Sequence, residues 1–88
     1  MPDHIDHAQL TRLDDPRYRL RKPLPIEIIR CRDEFIVWDG LPGGITCGRG
    51  GTLTAAQRNF ERNLLEAYRH AQAIVEALGE YIEEADHA

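Results

Sequence analysis

The hydrophobic positions change period near the middle of the chain. Ile26 to Arg32 and Phe35 to Asp39 are rich in Ile, Val, Phe and Trp, the β-branched and aromatic residues that fit a pleated surface. Asp33 and Glu34 separate the two runs, so a tight antiparallel hairpin is expected. Within it Ile26 and Ile28 share one face while Ile29 and Cys31 take the other, and Phe35 with Val37 oppose Ile36 with Trp38. Both sheet faces are therefore apolar. One can pack on a helix, and the other must meet the N-terminal segment, a second copy or a partner. Leu41, Pro42, Gly43 and Gly44 fit a type II turn with the positive φ at Gly43, after which Ile45 to Cys47 returns as a short third strand.

From Thr54 the period becomes helical. Thr54 and Gln57 have the spacing of a capping box. Leu64, Ala71, Leu78 and Ala85 recur every seven residues, as do Phe60, Ala67, Ile74 and Tyr81, with Tyr68, Val75 and Ile82 widening the stripe. A helix from Ala55 to Ala85 would be roughly 46 Å long, whereas a strand of the hairpin spans roughly 20 Å. Half of the stripe is left to be covered by the N-terminal segment, by a break near Gly79, or by a second molecule. The last predicts a homodimer centred on Ile74, Leu78, Tyr81 and Ile82. Ahead of the strands, residues 1–23 read as a weakly patterned arm. Ile5, Ala8, Leu10 and Leu13 suggest a short helix from Asp3 to Leu13, closed by a turn at Asp14, Asp15 and Pro16. The expected organisation is an arm over 1–23 and one small domain over 24–88. Its class is α+β: an antiparallel hairpin or three-stranded meander, then one long amphipathic helix.

Charge sharpens this picture. The 88 residues carry a formal charge of -4, but residues 12–32 hold Arg12, Arg17, Arg19, Arg21, Lys22, Arg30 and Arg32 against Asp14, Asp15 and Glu27. Residues 76–88 hold Glu76, Glu80, Glu83, Glu84 and Asp86 with no Lys or Arg. This polarity suits head-to-tail or antiparallel pairing of the molecule with itself, or docking of each end to a different partner. A chain this short buries only about 60% of its unfolded surface, so its core is thin. No apolar run approaches the roughly 18 residues of a membrane span, and no export signal opens the sequence. Cytoplasmic residence and no membrane contact are expected.

The residues limit the chemistry. Serine is absent and Lys22 is the single lysine, which removes serine-nucleophile chemistry and leaves one candidate for a Schiff base. Cys31 and Cys47 with His4, His7, His70 and His87 have no pairing of spacings that closes a tetrahedral metal site. Gly43 to Gly50 has the first and sixth glycines of a phosphate loop, but Arg49 and Gly50 stand where Lys and Ser or Thr are needed. Pro25 to Gly40 resembles the first hairpin of the ParB/sulfiredoxin superfamily. Leu41, Pro42 and Gly43 occupy the places of that family's histidine and arginine, so none of its nucleotide-contacting residues carries over.

Two surfaces remain. Arg17, Tyr18, Arg19, Arg21 and Lys22 interleave cations with an aromatic, as arms that meet acidic surfaces or nucleic acids do, and Trp38 stands on the second sheet face. The sequence is thus read as a non-catalytic protein-binding module, a small regulator, adaptor or inhibitor that needs no cofactor. Small acidic phage and mobile-element proteins share its general build. The alternatives are nucleic-acid binding through residues 17–22, or a thiol enzyme in which Arg49 activates Cys47.

Overall fold

The structure, a computed structural model, describes residues 4–41, 44, 46–70 and 72–85. Strands β1 (His4–Leu10), β3 (Leu24–Cys31), β4 (Glu34–Asp39) and β5 (Cys47–Gly50) form an antiparallel sheet in the order β1-β3-β4-β5. Strand β2 (Tyr18–Leu20) pairs separately with β6 (Ile82–Glu84) at the end of the chain. Helices α1 (Leu53–His70) and α2 (Gln72–Leu78) lie between β5 and β6. The α+β class and the meander followed by a helix are as the sequence predicts.

The hairpin forms one residue earlier than expected: Cys31 pairs with Glu34, and Arg32 with Asp33 makes the turn. The facing pattern follows the alternation. Leu24, Ile26 and Val37 are buried beneath α1 with Ala56, Phe60, Leu64 and Leu65. The N-terminal segment is a strand and not the expected helix. Ala8 and Leu10 alternate in phase with the strand they join, pairing with Ile26 and Leu24, and completing the sheet outweighs a ragged helical stripe. Asp39, itself buried, accepts hydrogen bonds from the amides of Leu41 (3.2 Å) and Thr46 (2.7 Å) and organises the following loop. In that loop the Gly44 amide donates to the Leu41 carbonyl at 3.1 Å, and Gly44 has φ +57°. Pro42 and Gly43, the expected centre of the turn, lie outside the described residues.

Two glycines set how closely α1 sits. A Cβ at Gly48 would collide with the Phe60 backbone and lie 2.6 Å from the Ala56 carbonyl oxygen, and one at Gly50 would lie 2.6 Å from the Ala56 amide. The contact is backbone to backbone. Asn59 and Asn63, one turn apart, donate side-chain amide hydrogens to the carbonyls of Arg49 (2.7 Å) and Cys47 (2.9 Å). They satisfy outward acceptors of the β5 edge, which would otherwise be open to pairing. The cap is Thr52, whose hydroxyl accepts from Ala55 N–H at 3.1 Å; the helix therefore begins before the expected Thr54.

Much of the described part of the helical stripe packs within the chain. α2 ends at Leu78, Gly79 and Glu80 turn the backbone, and β6 runs back beside β2. Leu78 and Ile82 are fully buried, with Leu20, Tyr18, Tyr68, Ile74 and Tyr81 packed against the same core. Of the four residues of the expected dimer interface, Leu78 and Ile82 are thus buried within the chain, while Ile74 and Tyr81 are half-buried. One continuous helix to Ala85 is replaced by a helix that ends in time for the acidic tail to meet the basic segment.

Gly48→Ala should destabilise the fold by about 3 kcal/mol or more, since neither backbone can yield without moving the helix. Gly51→Ala, with open space around it, should change stability by less than about 1 kcal/mol. Denaturant unfolding of the two variants checks the contrast. Equal stabilities would mean that α1 does not seat on β5 in this way.

Candidate interaction surface

The open side of the sheet is built from the residues that alternate away from α1. Across the strands the register aligns Ile5, Ile29, Ile36 and Arg49 in one row, and His7, Glu27, Trp38 and Cys47 in the next. Ile5 is 48% exposed and Trp38 37% exposed, while Ile29, Ile36 and Cys47 are half-buried. Charges within and beside these rows are matched. Arg49 pairs with Glu34 at 2.7 Å, and His7 lies 4.0 Å from Glu27. The face therefore offers a band of Ile and Trp bordered by the Arg49–Glu34 ion pair and by the polar side chains of His7 and Glu27. Gly44 lies beside Trp38, where an added Cβ would touch the indole at 3.6 Å. The glycine loop thus borders this face.

The basic segment lies elsewhere. Arg19 and Arg21 both contact the Glu83 carboxylate, Lys22 pairs with Glu80 at 3.1 Å and stands over the Tyr81 ring at 4.6 Å, and Tyr18 meets Tyr68 edge to face at 5.9 Å. Backbone bonds from Arg21 N–H to the Tyr81 carbonyl and from Ala85 N–H to the Arg17 carbonyl extend the two-stranded pairing. The charge polarity of the sequence thus closes on itself inside one chain. Arg17 makes a two-pronged contact with the Asp15 carboxylate at 3.1 and 2.8 Å. The side-chain hydrogen bonds from Arg17, followed by the Arg17 amide, hold the Asp15 carboxyl down at about 2. Of the partner-binding residues proposed from sequence, Tyr18, Arg19, Arg21 and Lys22 belong to this closure, and Trp38 stands apart on the open sheet face.

Cys31 and Cys47 are free, half-buried thiols. Arg49, the residue expected to activate Cys47, is tied to Glu34, and His70 pairs with Glu66 on the helix surface. Among the described residues no three His, Cys, Asp or Glu side chains converge to hold a metal ion, and no helix is long and apolar enough to cross a membrane.

One ionisable group escaped the sequence reading. Glu61 is buried on α1 and accepts hydrogen bonds from the amides of Asp14 and Asp15, tying the β1–β2 connection to the helix. Position 61 is four residues before Leu65 and beside Phe60, on the flank of the apolar stripe; that spacing was the available signal. Burial pushes its pKa above the usual 4.5, against the two amide bonds, which pull it down, and the nearby Asp14 and Asp15 charges push it further up. Comparison with protein-family models, with curated proteins and with solved structures yields no match, so this surface is read from its geometry alone.

A raised folded-state pKa means that folding retains a proton the unfolded chain releases. The Glu61 contribution to stability is complete below about pH 4.5 and is lost as pH rises through its folded value. Glu61→Gln keeps a carbonyl acceptor for the two amides and removes the charge. Its stability relative to wild type should therefore improve from pH 4 to pH 7, whereas Glu61→Ala should be less stable than wild type throughout because it strands both amides. Urea unfolding across that range measures both differences, and a Gln variant that loses ground as pH rises would reverse the assignment.

Proposed function

We propose that the chain is a non-catalytic protein-binding module, a small regulator, adaptor or inhibitor, whose recognition surface is the open face of the four-stranded sheet. The observation that carries this reading is the exposed Ile5 and Trp38 set among Ile29 and Ile36, on a sheet whose other face is already packed. Sheets with two apolar faces are normally covered on both.

The size of the face favours one kind of occupant. Three strand spacings of about 4.8 Å by strands of about 20 Å give roughly 300 Å². That is well below the ~800 Å² per partner of a standard stable interface, and it is of the order that one helix about 10 Å wide covers when it lies along the strands. The occupant is therefore an amphipathic helix of a protein partner, taking on this side the place that α1 takes on the other. Free thiols at Cys31 and Cys47 are consistent with work in the reducing cytosol. The nucleic-acid alternative is weaker, because Arg19, Arg21 and Lys22 are engaged by Glu83 and Glu80.

Selection of displayed peptides against the wild-type chain should enrich amphipathic helical sequences. Binding of a selected peptide should fall about 30-fold or more in Trp38→Ala, the size of an interface hot spot, and be nearly unchanged between 50 and 500 mM salt. Trp38→Ala should itself unfold at a denaturant concentration close to wild type. Peptides that bind Trp38→Ala as well as wild type would remove the face from recognition, and a dimer by sedimentation equilibrium that Ile36→Asp dissociates would assign it to a second copy instead.

A further inference from the structure

The two edges of the four-stranded sheet are treated differently. At β5 the outward carbonyls of Cys47 and Arg49 accept hydrogen bonds from Asn63 and Asn59, so that edge is closed. At β1 the outward groups follow from the register. Gly40 N–H donates to the Pro25 carbonyl at 2.7 Å, and Asp39 N–H to the Thr46 carbonyl at 3.3 Å. Even-numbered residues of β4 therefore bond β3 and odd-numbered ones bond β5, since antiparallel ladders alternate. In β3 the odd-numbered residues bond β4, and the even-numbered ones bond β1 through the pairs Leu24–Leu10, Ile26–Ala8, Ile28–Asp6 and Arg30–His4. Ile5, His7 and Gln9 are left with their N–H and C=O groups pointing away from the sheet.

Among the described residues nothing bonds those backbone groups, and β3 is the one described element that β1 contacts extensively. Helix α1 sits over β4 and β5, on the far side of the sheet. Exposed edges are commonly defended by a proline, a lysine or a bulge. Strand β1 has no Pro or Lys, and its pairing with β3 runs one to one over its whole length. Ile5, His7 and Gln9 are exposed.

We infer that β1 is a dimerisation edge, at which a second copy of this chain adds its own β1 antiparallel to form one eight-stranded sheet. The occupant follows from symmetry. About a two-fold axis perpendicular to the sheet, odd-numbered residues oppose odd-numbered ones, because directly opposed side chains share a face. The register centred on His7 is the one that pairs all of β1: His7 opposite His7, Ile5 opposite Gln9, Asp6 opposite Ala8 and His4 opposite Leu10. It satisfies every outward N–H and C=O of Ile5, His7 and Gln9 in both copies. Centring on Asp6 instead would set two aspartates opposite each other, which is unfavourable, and would leave part of the strand unpaired. The pairing also joins the two open faces. Seven strand spacings of about 4.8 Å by about 20 Å give roughly 670 Å², approaching the ~800 Å² that each partner of a standard interface contributes. That enlargement rests on the sheet-face reading; the pairing itself does not.

The test is sedimentation equilibrium of the full chain between about 10 and 500 µM. An edge contact is narrower than a standard interface, so Kd is expected on the order of 100 µM, with the average mass rising towards twice that of the monomer. Over the same range hydrogen exchange at the Ile5, His7 and Gln9 amides should slow about threefold, and more than at Asp6 and Ala8, which already bond β3. His7→Pro removes an outward N–H without touching a bond to β3, and should weaken the dimer at least tenfold. Were it to unfold, His7→Lys and His7→Glu take its place: each alone should dimerise at least threefold more weakly than wild type, and their equimolar mixture more tightly than either. Ile36→Asp, on the open face, should leave the dimer intact. A monomer throughout the range, a dimer unaffected by folded His7→Pro, a mixture no tighter than its separate variants, or a dimer that Ile36→Asp dissociates would each overturn the inference.

Discussion

Everything in this fold depends on the absence of side chains at Gly48 and Gly50, which lets the α1 backbone rest directly on the backbone of β5. That contact fixes the helix over one edge of the sheet, buries Phe60 and Leu64 against Val37 and Ile26, and brings Asn59 and Asn63 to the strand's outward carbonyls. With β5 sealed by the helix, β1 is the sheet's other edge. A larger residue at position 48 would lift the helix and uncouple all of these together.

Placing the single long helix on one face leaves the opposite face exposed, and among the described residues no other segment returns to cover it. The C-terminal segment goes to β2 instead, drawn there by Leu78 and Ile82 in the core and by Glu80 and Glu83 against the cations of residues 19–22. The exposed ion pairs contribute little each; the buried apolar residues do most of the holding, and the charges select which strand pairs with which. One consequence is functional: cations that look available in the sequence are internally matched, while Trp38 and Ile5 are not covered.

Much of this was legible in the sequence, and the misreadings have physical causes. The alternation in 26–31 and 35–39 gave the correct two faces because β-branched and aromatic residues mark strands strongly, whereas the charge polarity, which suggested pairing between copies or docking to partners, closes within one chain. Strand β1 was hidden because its inward residues Ala8 and Leu10 are ordinary in helices as well; only pairing with Ile26 and Leu24 decides the matter. Glycine is depleted in strands, so β5 is hard to recognise as a strand from Gly48 and Gly50, yet here the missing Cβ is what the helix requires. Leu78 and Ile82 looked like surplus because the sequence pattern does not show that the chain doubles back after Gly79. Of the site, Trp38 is placed by its face in the alternation, whereas Glu61 is not visible in the sequence, because a glutamate on the flank of an apolar stripe carries no mark of burial.

The exposure of the sheet face can be measured directly, because Trp38 is the single tryptophan of the chain and its intrinsic fluorescence reports on that face alone. In the free chain at low micromolar concentration, the emission should be that of a water-accessible indole and should be readily quenched by acrylamide. The spectrum should not change with protein concentration. A blue-shifted, quencher-resistant emission in the dilute chain would contradict this, since it would mean that the face is already covered, by the chain itself or by a second copy.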